Sequence, residues 1–394
     1  MLHRGLDATF PAEVRQRITL LTLARTAANG CFRFAPPYLA TIASGLDVSL
    51  DTIGIAVAVS ELSGLMSPLT GSIAERFHRR TAMAAGLFGV AAGATLAAAS
   101  QHVAMLAVAL VVLAQSKVLF DLGLGAWVSD RVPYERRGRV IGLTETSWAL
   151  GLLVVVSLLG LLTAVSSWRV GYAAAAALVA VMAVLVRRTV ADDPGHGHEH
   201  ARAERPAHVR VPAAGWALVG AALCLMASSQ VLFVTFGSWL DDHHGIDPSG
   251  IAALAFGLGF AELFSSVSAS RVADRWGKER AGAVGALVMV PAALVLAAGH
   301  DTLALGLPAL VAAIAAFEFA IVSIIPLGTQ MVAGAPAFGM SVMLAAGTLG
   351  RALSSIPATR VYTRVGMAWP ALMCAVLAAG AAAGLRGVAV LRRR

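Results

Sequence analysis

Apolar runs follow one another along the whole chain, each closed by a short polar break rich in Arg, Gly, Ser or Pro. A helix needs ~20 apolar residues to cross ~30 Å of hydrocarbon. Windows of this kind lie at 18–40, 50–70, 81–100, 104–126, 139–162, 170–186, 213–239, 250–270, 281–299, 303–329, 338–359 and 368–386. The pattern predicts an all-α membrane protein with 12 transmembrane helices. One break is longer than the rest: residues 187–211 hold D-D-P-G-H-G-H-E-H and further arginines, the composition of a flexible linker. It divides the windows into a six-helix bundle at 1–186, a cytoplasmic linker at 187–212 and a second six-helix bundle at 213–394.

Two of the breaks are copies of each other. Residues 71–80 read G-S-I-A-E-R-F-H-R-R and residues 270–280 read S-R-V-A-D-R-W-G-K-E-R. A shift of 199 lays Gly71 on Ser270, Ala74 on Ala273, Glu75 on Asp274, Arg76 on Arg275, Phe77 on Trp276 and Arg79 on Lys278. Since 199 is about half of 394, the chain reads as a tandem duplication.

Composition sharpens the class. The chain is 58% hydrophobic and 13% charged, against ~25% charged in soluble domains, and its mean hydropathy is +0.77. The segments at 1–17, 71–80, 127–139, 187–210 and 271–280 and the tail from Arg386 hold 23 of the 30 Lys and Arg, whereas the opposite loops hold only Arg169, Arg360 and Arg364. Positive residues stay on the cytoplasmic side, so both termini are expected in the cytoplasm. The net charge of +8 is dispersed over short loops, which argues for topology and against a nucleic-acid surface. Trp127, Trp168, Trp216, Trp239, Trp276 and Trp369 fall near window ends, where interfacial anchors belong. Cys31, Cys224 and Cys374 lie inside apolar windows, a placement for packing and not for a disulfide framework. The first apolar run is a full span after a polar start, unlike a cleavable signal peptide.

Ionisable residues inside the windows are the candidate chemistry. A charge at mid-membrane costs ~2.5–3.5 kcal/mol on insertion scales, so it faces a bundle interior or a watery cavity and meets an opposite charge. Arg25, Asn29 and Arg33 stand four apart in the first window, on one stripe of a helix. Glu61 lies in the second window, Lys117 and Asp121 in the fourth, Glu145 in the fifth, Gln230 in the seventh, Glu262 in the eighth, Glu318 in the tenth and Arg351 in the eleventh. Together they form the candidate substrate and coupling cavity; the alternative is a structural ion-pair network that ties helices together. In the first half Arg25, Arg33 and Lys117 balance Glu61, Asp121 and Glu145, whereas in the second Glu262 and Glu318 exceed Arg351 by one. Burial disfavours the charged form of an uncompensated carboxylate, so Glu262 or Glu318 is the expected protonation site. The alternative is an acid held permanently neutral by hydrogen bonds.

The doubled loop resembles the connection between helices 2 and 3 of major facilitator superfamily transporters, roughly G-x-x-x-D-R-x-G-R-R, which recurs between their helices 8 and 9. Glu75 replaces the usual Asp and His78 the usual Gly in the first copy, and Ser270 replaces the opening Gly in the second. The loop D-R-V-P-Y-E-R-R-G-R at 130–139 is similar to the family's basic helix 4 to 5 connection. The resemblance implies two pseudo-symmetric bundles that expose a central site to either side in turn, and a conformational latch made of Gly71, Glu75, Arg76, Arg80, Asp130, Asp274 and Arg275. In that latch Glu75 would cap helix 11 and Arg76 would reach toward Asp130. Lys117 matches only in part the family's L-x-x-R-x-x-x-G, a position linked with proton coupling, and helix 5 lacks the antiporter pattern G-x-x-x-G-P-x-x-G.

No G-x-x-x-x-G-K-[ST] loop, G-x-S-x-G elbow, H-E-x-x-H helix or paired Cys motif is present, so ATP-driven transport and the common hydrolases are disfavoured. An intramembrane enzyme is the rival from another class, and no His lies within any window to serve it. His196, His198 and His200 could take a transition metal, yet such tracts in linkers are usually incidental; no metal or cofactor is assigned. The reading is a monomeric multi-pass carrier of the cytoplasmic membrane. Its expected partners are lipid, protons and a small organic substrate; it resembles bacterial arabinose-efflux and multidrug permeases, with proton-coupled efflux first and proton symport or facilitated uptake as the alternative.

Overall fold

A computed structural model describes residues 10–74, 77–191, 210–332 and 336–392. The described residues are helical almost throughout, and each of the 12 predicted windows falls in helix. In chain order these are α1 (Ala12–Arg33), α2 (Leu39–Gly45), α3 (Leu50–Ser63), α4 (Ser67–Ala74), α5 (Arg79–Ala98), α6 (Val103–Arg131), α7 (Tyr134–Leu150), α8 (Ser157–Val165), α9 (Trp168–Thr189), α10 (Ala213–Phe233), α11 (Phe236–His244), α12 (Pro248–Trp276), α13 (Lys278–Gly299), α14 (Leu303–Thr329), α15 (Pro336–Val365) and α16 (Ala368–Leu391). Among the described residues, 9 helical spans are long and apolar enough to cross a membrane by length and composition alone. The windows outside that set have evident causes. Helix α1 of the first carries Arg15, Arg17, Arg25 and Arg33, the second is split between α3 and α4, and helix α15 of the eleventh is diluted by Arg351, Arg360 and Arg364.

Besides the second, three spans are interrupted. Pro36 and Pro37 end α1 and start a 3-10 turn at Pro36–Tyr38 before α2, because proline lacks the amide hydrogen a helix needs. The seventh span breaks between α10 and α11 without a proline; there Thr235 turns its hydroxyl onto the Val231 carbonyl at 2.7 Å. The fifth contains a π-helical turn, Gly151–Val156, between α7 and α8.

The chain divides into two compact units: Met1–Ala35, Ser63–Ala203 and Pro248–Gly259 in one, and Pro36–Leu62, Glu204–Asp247 and Phe260–Arg394 in the other. In the first unit α5 packs on α6 and α9, and α1 packs on α7 and α9. Phe34 meets Tyr172 edge-on, with ring centroids 4.9 Å apart. In the second, α13 packs on α14 and α16, and α10 on α15 and α16.

The duplication is visible inside each unit. A Cβ on Gly86 of α5 would stand 2.5 Å from the Phe120 backbone nitrogen of α6, and a Cβ on Gly285 of α13 would stand 2.9 Å from that of Ala320 of α14. These pairs sit 199 and 200 residues apart. Small residues let membrane helices approach backbone to backbone, and the same crossing is built twice. The tryptophans divide differently from expectation. Trp216, Trp276 and Trp369 are more than half exposed, but Trp127, Trp168 and Trp239 are buried, so these three are packing groups and not interfacial anchors.

Candidate functional site

The stripe on α1 forms three rungs against α7, with α6 alongside. On the first rung the Arg25 guanidinium donates through Nε to Asp121 at 3.0 Å and through Nη1 to the Thr144 carbonyl at 3.0 Å. The same Nη1 lies 2.9 Å from Glu145. Asp121 also takes the Lys117 ammonium at 2.5 Å, one turn along α6. On the second rung the Asn29 amide donates to the Ser147 hydroxyl at 3.0 Å. On the third, Arg33 donates to the Trp148 carbonyl at 3.0 Å and lies 4.5 Å from the centre of the Trp148 ring. Lys117 stands 5.7 Å from the same ring, so one indole serves two cations, an arrangement favoured by the ring quadrupole.

Helical spacing explains this gathering. Positions four apart share a face, so Arg25, Asn29 and Arg33 meet successive residues 144–148 of a neighbour lying against α1. Arg33 and Asn29 are buried, whereas the Glu145 side chain is 47% exposed, so the cluster is most accessible at its acidic end. Sequence reasoning missed Trp148 and Ser147. Trp148 was the one tryptophan left in mid-window, a signal that could have found it.

In the second unit the amide and hydroxyl recur. Gln230 of α10 donates to Ser355 of α15 at 3.0 Å, the counterpart of Asn29 and Ser147. Ser355 lies one turn from Arg351, whose Nη2 binds Glu61 of α3 at 2.5 Å. This corrects the expected charge balance: Glu61 belongs with Arg351 and not with the cations of the first half, because segment Pro36–Leu62 packs into the second unit. Glu262 and Glu318 are buried. Ser266, one turn beyond Glu262 on α12, donates to Glu318 of α14 at 2.5 Å, so Glu262 shares a helix face with the residue that touches Glu318.

Glu75 and Arg76 lie outside the described residues, as do His196, His198 and His200, and nothing is described of the Asp274 side chain. Asp130 is held by Arg79, with Nε to Oδ2 at 2.9 Å. Gly71 lies in α4, Arg80 begins α5 half-buried and Arg275 is exposed near the end of α12. The two copies of the loop turn differently: Gly277 adopts φ +87 before α13, whereas His78 at the matching position adopts φ −56 before α5. The left-handed angle suits glycine, and the first copy, which does not use it, tolerates histidine.

The Major Facilitator Superfamily profile matches residues 19–355. The chain is 26% identical to the Escherichia coli transporter YgaY over 174 residues, 43% of each protein. It is 24% identical to the MFS-type transporter YwfA of Bacillus subtilis over 281 residues, 66% of this chain and 64% of the relative. These matches span less than two thirds of either relative's length. Among solved structures, a bacterial homologue of the human lysosomal transporter Spinster superposes with a TM-score of 0.73 at 15% identity, covering 96% of this chain and 95% of that one. The human organic anion transporter MFSD10 superposes with a TM-score of 0.69 at 19% identity, covering 95% of this chain and 100% of that one. At these identities the likeness is one of fold.

Proposed function

The chain belongs to the major facilitator superfamily and is a multi-pass membrane transporter, and from that premise we propose that it exports a small organic anion across the cytoplasmic membrane in exchange for protons. The observation that carries this reading is the cluster at Trp148, where Arg25, Arg33 and Lys117 gather beside one indole with Asp121 and Glu145. Cations grouped beside an aromatic face suit a carboxylate or sulfonate attached to an apolar body. Glu262 and Glu318 are the proposed proton carriers, both being carboxylates buried within spans. In this reading residues 1–186 and 213–394 are the two moving bundles, both termini are cytoplasmic and the carrier works as a monomer.

Electrical work favours export over uptake. A monovalent anion leaving a cell that is negative inside gains ~2.3 kcal/mol per 100 mV, and each entering proton gains the same. Uptake by symport would need at least two protons per monovalent anion before the membrane potential helped. Proteoliposomes with an imposed pH gradient test the reading. Small organic anions, cations and neutral solutes are added in turn while internal pH is followed. Proton movement on addition of anions alone is expected, lost when Glu262 and Glu318 are both changed to Gln. Proton movement with cations alone, or anion flux that leaves internal pH unchanged in every variant, would overturn it.

A further inference from the structure

A second cluster of titratable groups lies away from this site, where α11 meets the turn between α13 and α14. His243 Nε2 and His300 Nδ1 approach the same oxygen, Asp301 Oδ1, at 3.2 and 3.0 Å. The His243 ring is 5.8 Å from that of His300 and 4.8 Å from that of His244. Two further donors fix the turn: Trp239 Nε1 and His244 Nε2 both reach the His300 carbonyl, at 3.1 and 3.0 Å. Gly245, at φ +63, closes α11 immediately after the histidine pair. His243 and Asp301 side chains are 47% and 69% exposed, so protons from bulk water reach them freely.

The surroundings are acidic. Asp241 on α11 lies within electrostatic reach of Asp242 and of Asp247 in the following loop. Tyr362 of α15 donates to Asp242 at 2.9 Å. The basic groups nearest that end of α15, Arg360 and Arg364, are exposed. Both imidazoles lie within ion-pair distance of Asp301, and a second proton on either ring turns that contact into an ion pair.

We propose that His243, His300 and Asp301 form a pH-read clasp that ties α11, the outer segment of the broken seventh span, to the α13–α14 turn and tightens as the surrounding medium is acidified. The clasp is independent of what the carrier moves and in which direction. It is separate from Glu262 and Glu318, which lie buried on other helices. Exposed pairs are individually weak, so the expected effect is modest: about fivefold slower opening of residues 236–244 when both pairs become ionic.

Hydrogen exchange of the full-length protein in lipid nanodiscs tests this, compared at about pH 5.5 and 7.5, the range over which imidazole titrates, after correction for the intrinsic pH dependence of exchange. Residues 236–244 should gain protection at the lower pH in the wild type. The double variant H243Q/H300Q keeps two N–H donors but no titratable charge, and should show no gain. D301N leaves two imidazolium groups facing each other and should reverse the sign, so that acid loosens the segment. A wild type indifferent to pH, or a gain retained in either variant, would overturn the proposal. Should H243Q/H300Q fail to fold, judged by Trp239 emission against a W239F control, D301N alone decides. Because the measurement reads the segment itself, its failure is distinct from failure of the transport assay.

Discussion

Arg25 serves three acceptors with one guanidinium, on α6 and α7 at once. Lysine at this position keeps the charge but not the planar fork. R25K is therefore expected to retain a folded protein while transport falls at least tenfold; R25A should also lower the melting temperature, because Asp121 would keep only Lys117. Solvent at Glu145 moderates the loss, so E145Q should change stability by no more than about 1 kcal/mol. The Glu61–Arg351 pair is different, since both side chains are only 10–12% exposed. Removing one partner of such a pair costs about 3–5 kcal/mol, so E61Q should destabilise strongly while the exchange E61R/R351E recovers most of the loss. Additive losses in thermal unfolding of the singles and the exchange would refute the pairing. The charged positions themselves were legible, because an ionisable group in an apolar window stands out against its neighbours. Their partners were less so: Glu61 and Arg351 are 290 residues apart, and their meeting depends on where segment Pro36–Leu62 packs.

At the scale of elements, the twin crossings decide how close neighbouring helices come. Valine at Gly86 or Gly285 would press on the backbone of the facing helix, and overpacking of this kind costs about 1–3 kcal/mol or more. G86V and G285V are expected to lower the yield of folded protein in detergent. G125A and G257A should not, since nothing lies within 4 Å of a Cβ at either position. Equal behaviour of all four variants in size-exclusion profiles would sink this account. The spans and the first break were legible because apolar length and Pro36–Pro37 are local signals. The break after Phe233 and the π turn at Gly151–Val156 were not. No proline marks either one, so no local sequence signal announces them.

At the scale of the whole molecule, the duplication was legible from one repeated loop, and the structure repeats it in a glycine crossing and an amide–hydroxyl pair. The grouping of segments was not, because hydropathy says where a helix lies but not which neighbour it joins. Since Pro36–Leu62 packs into the second unit, residues 213–394 expressed alone should be degraded in the membrane, and co-expression with residues 1–186 should rescue them, as judged by affinity capture of one fragment with the other. Stable accumulation of the lone fragment would contradict that dependence. The π turn has its own consequence. It winds a surplus residue into one turn of the fifth span, just where Gly30 and Gly151 let α1 draw near. A residue lost from a straight stretch of helix swivels whatever precedes it by about 100°. Here the surplus turn absorbs the loss: removing Val154, the most exposed of the six, would restore an ordinary helical pitch while Glu145, Ser147 and Trp148 keep nearly their present facing toward Arg25, Asn29 and Arg33, so a lone codon deletion at this one place should be tolerated.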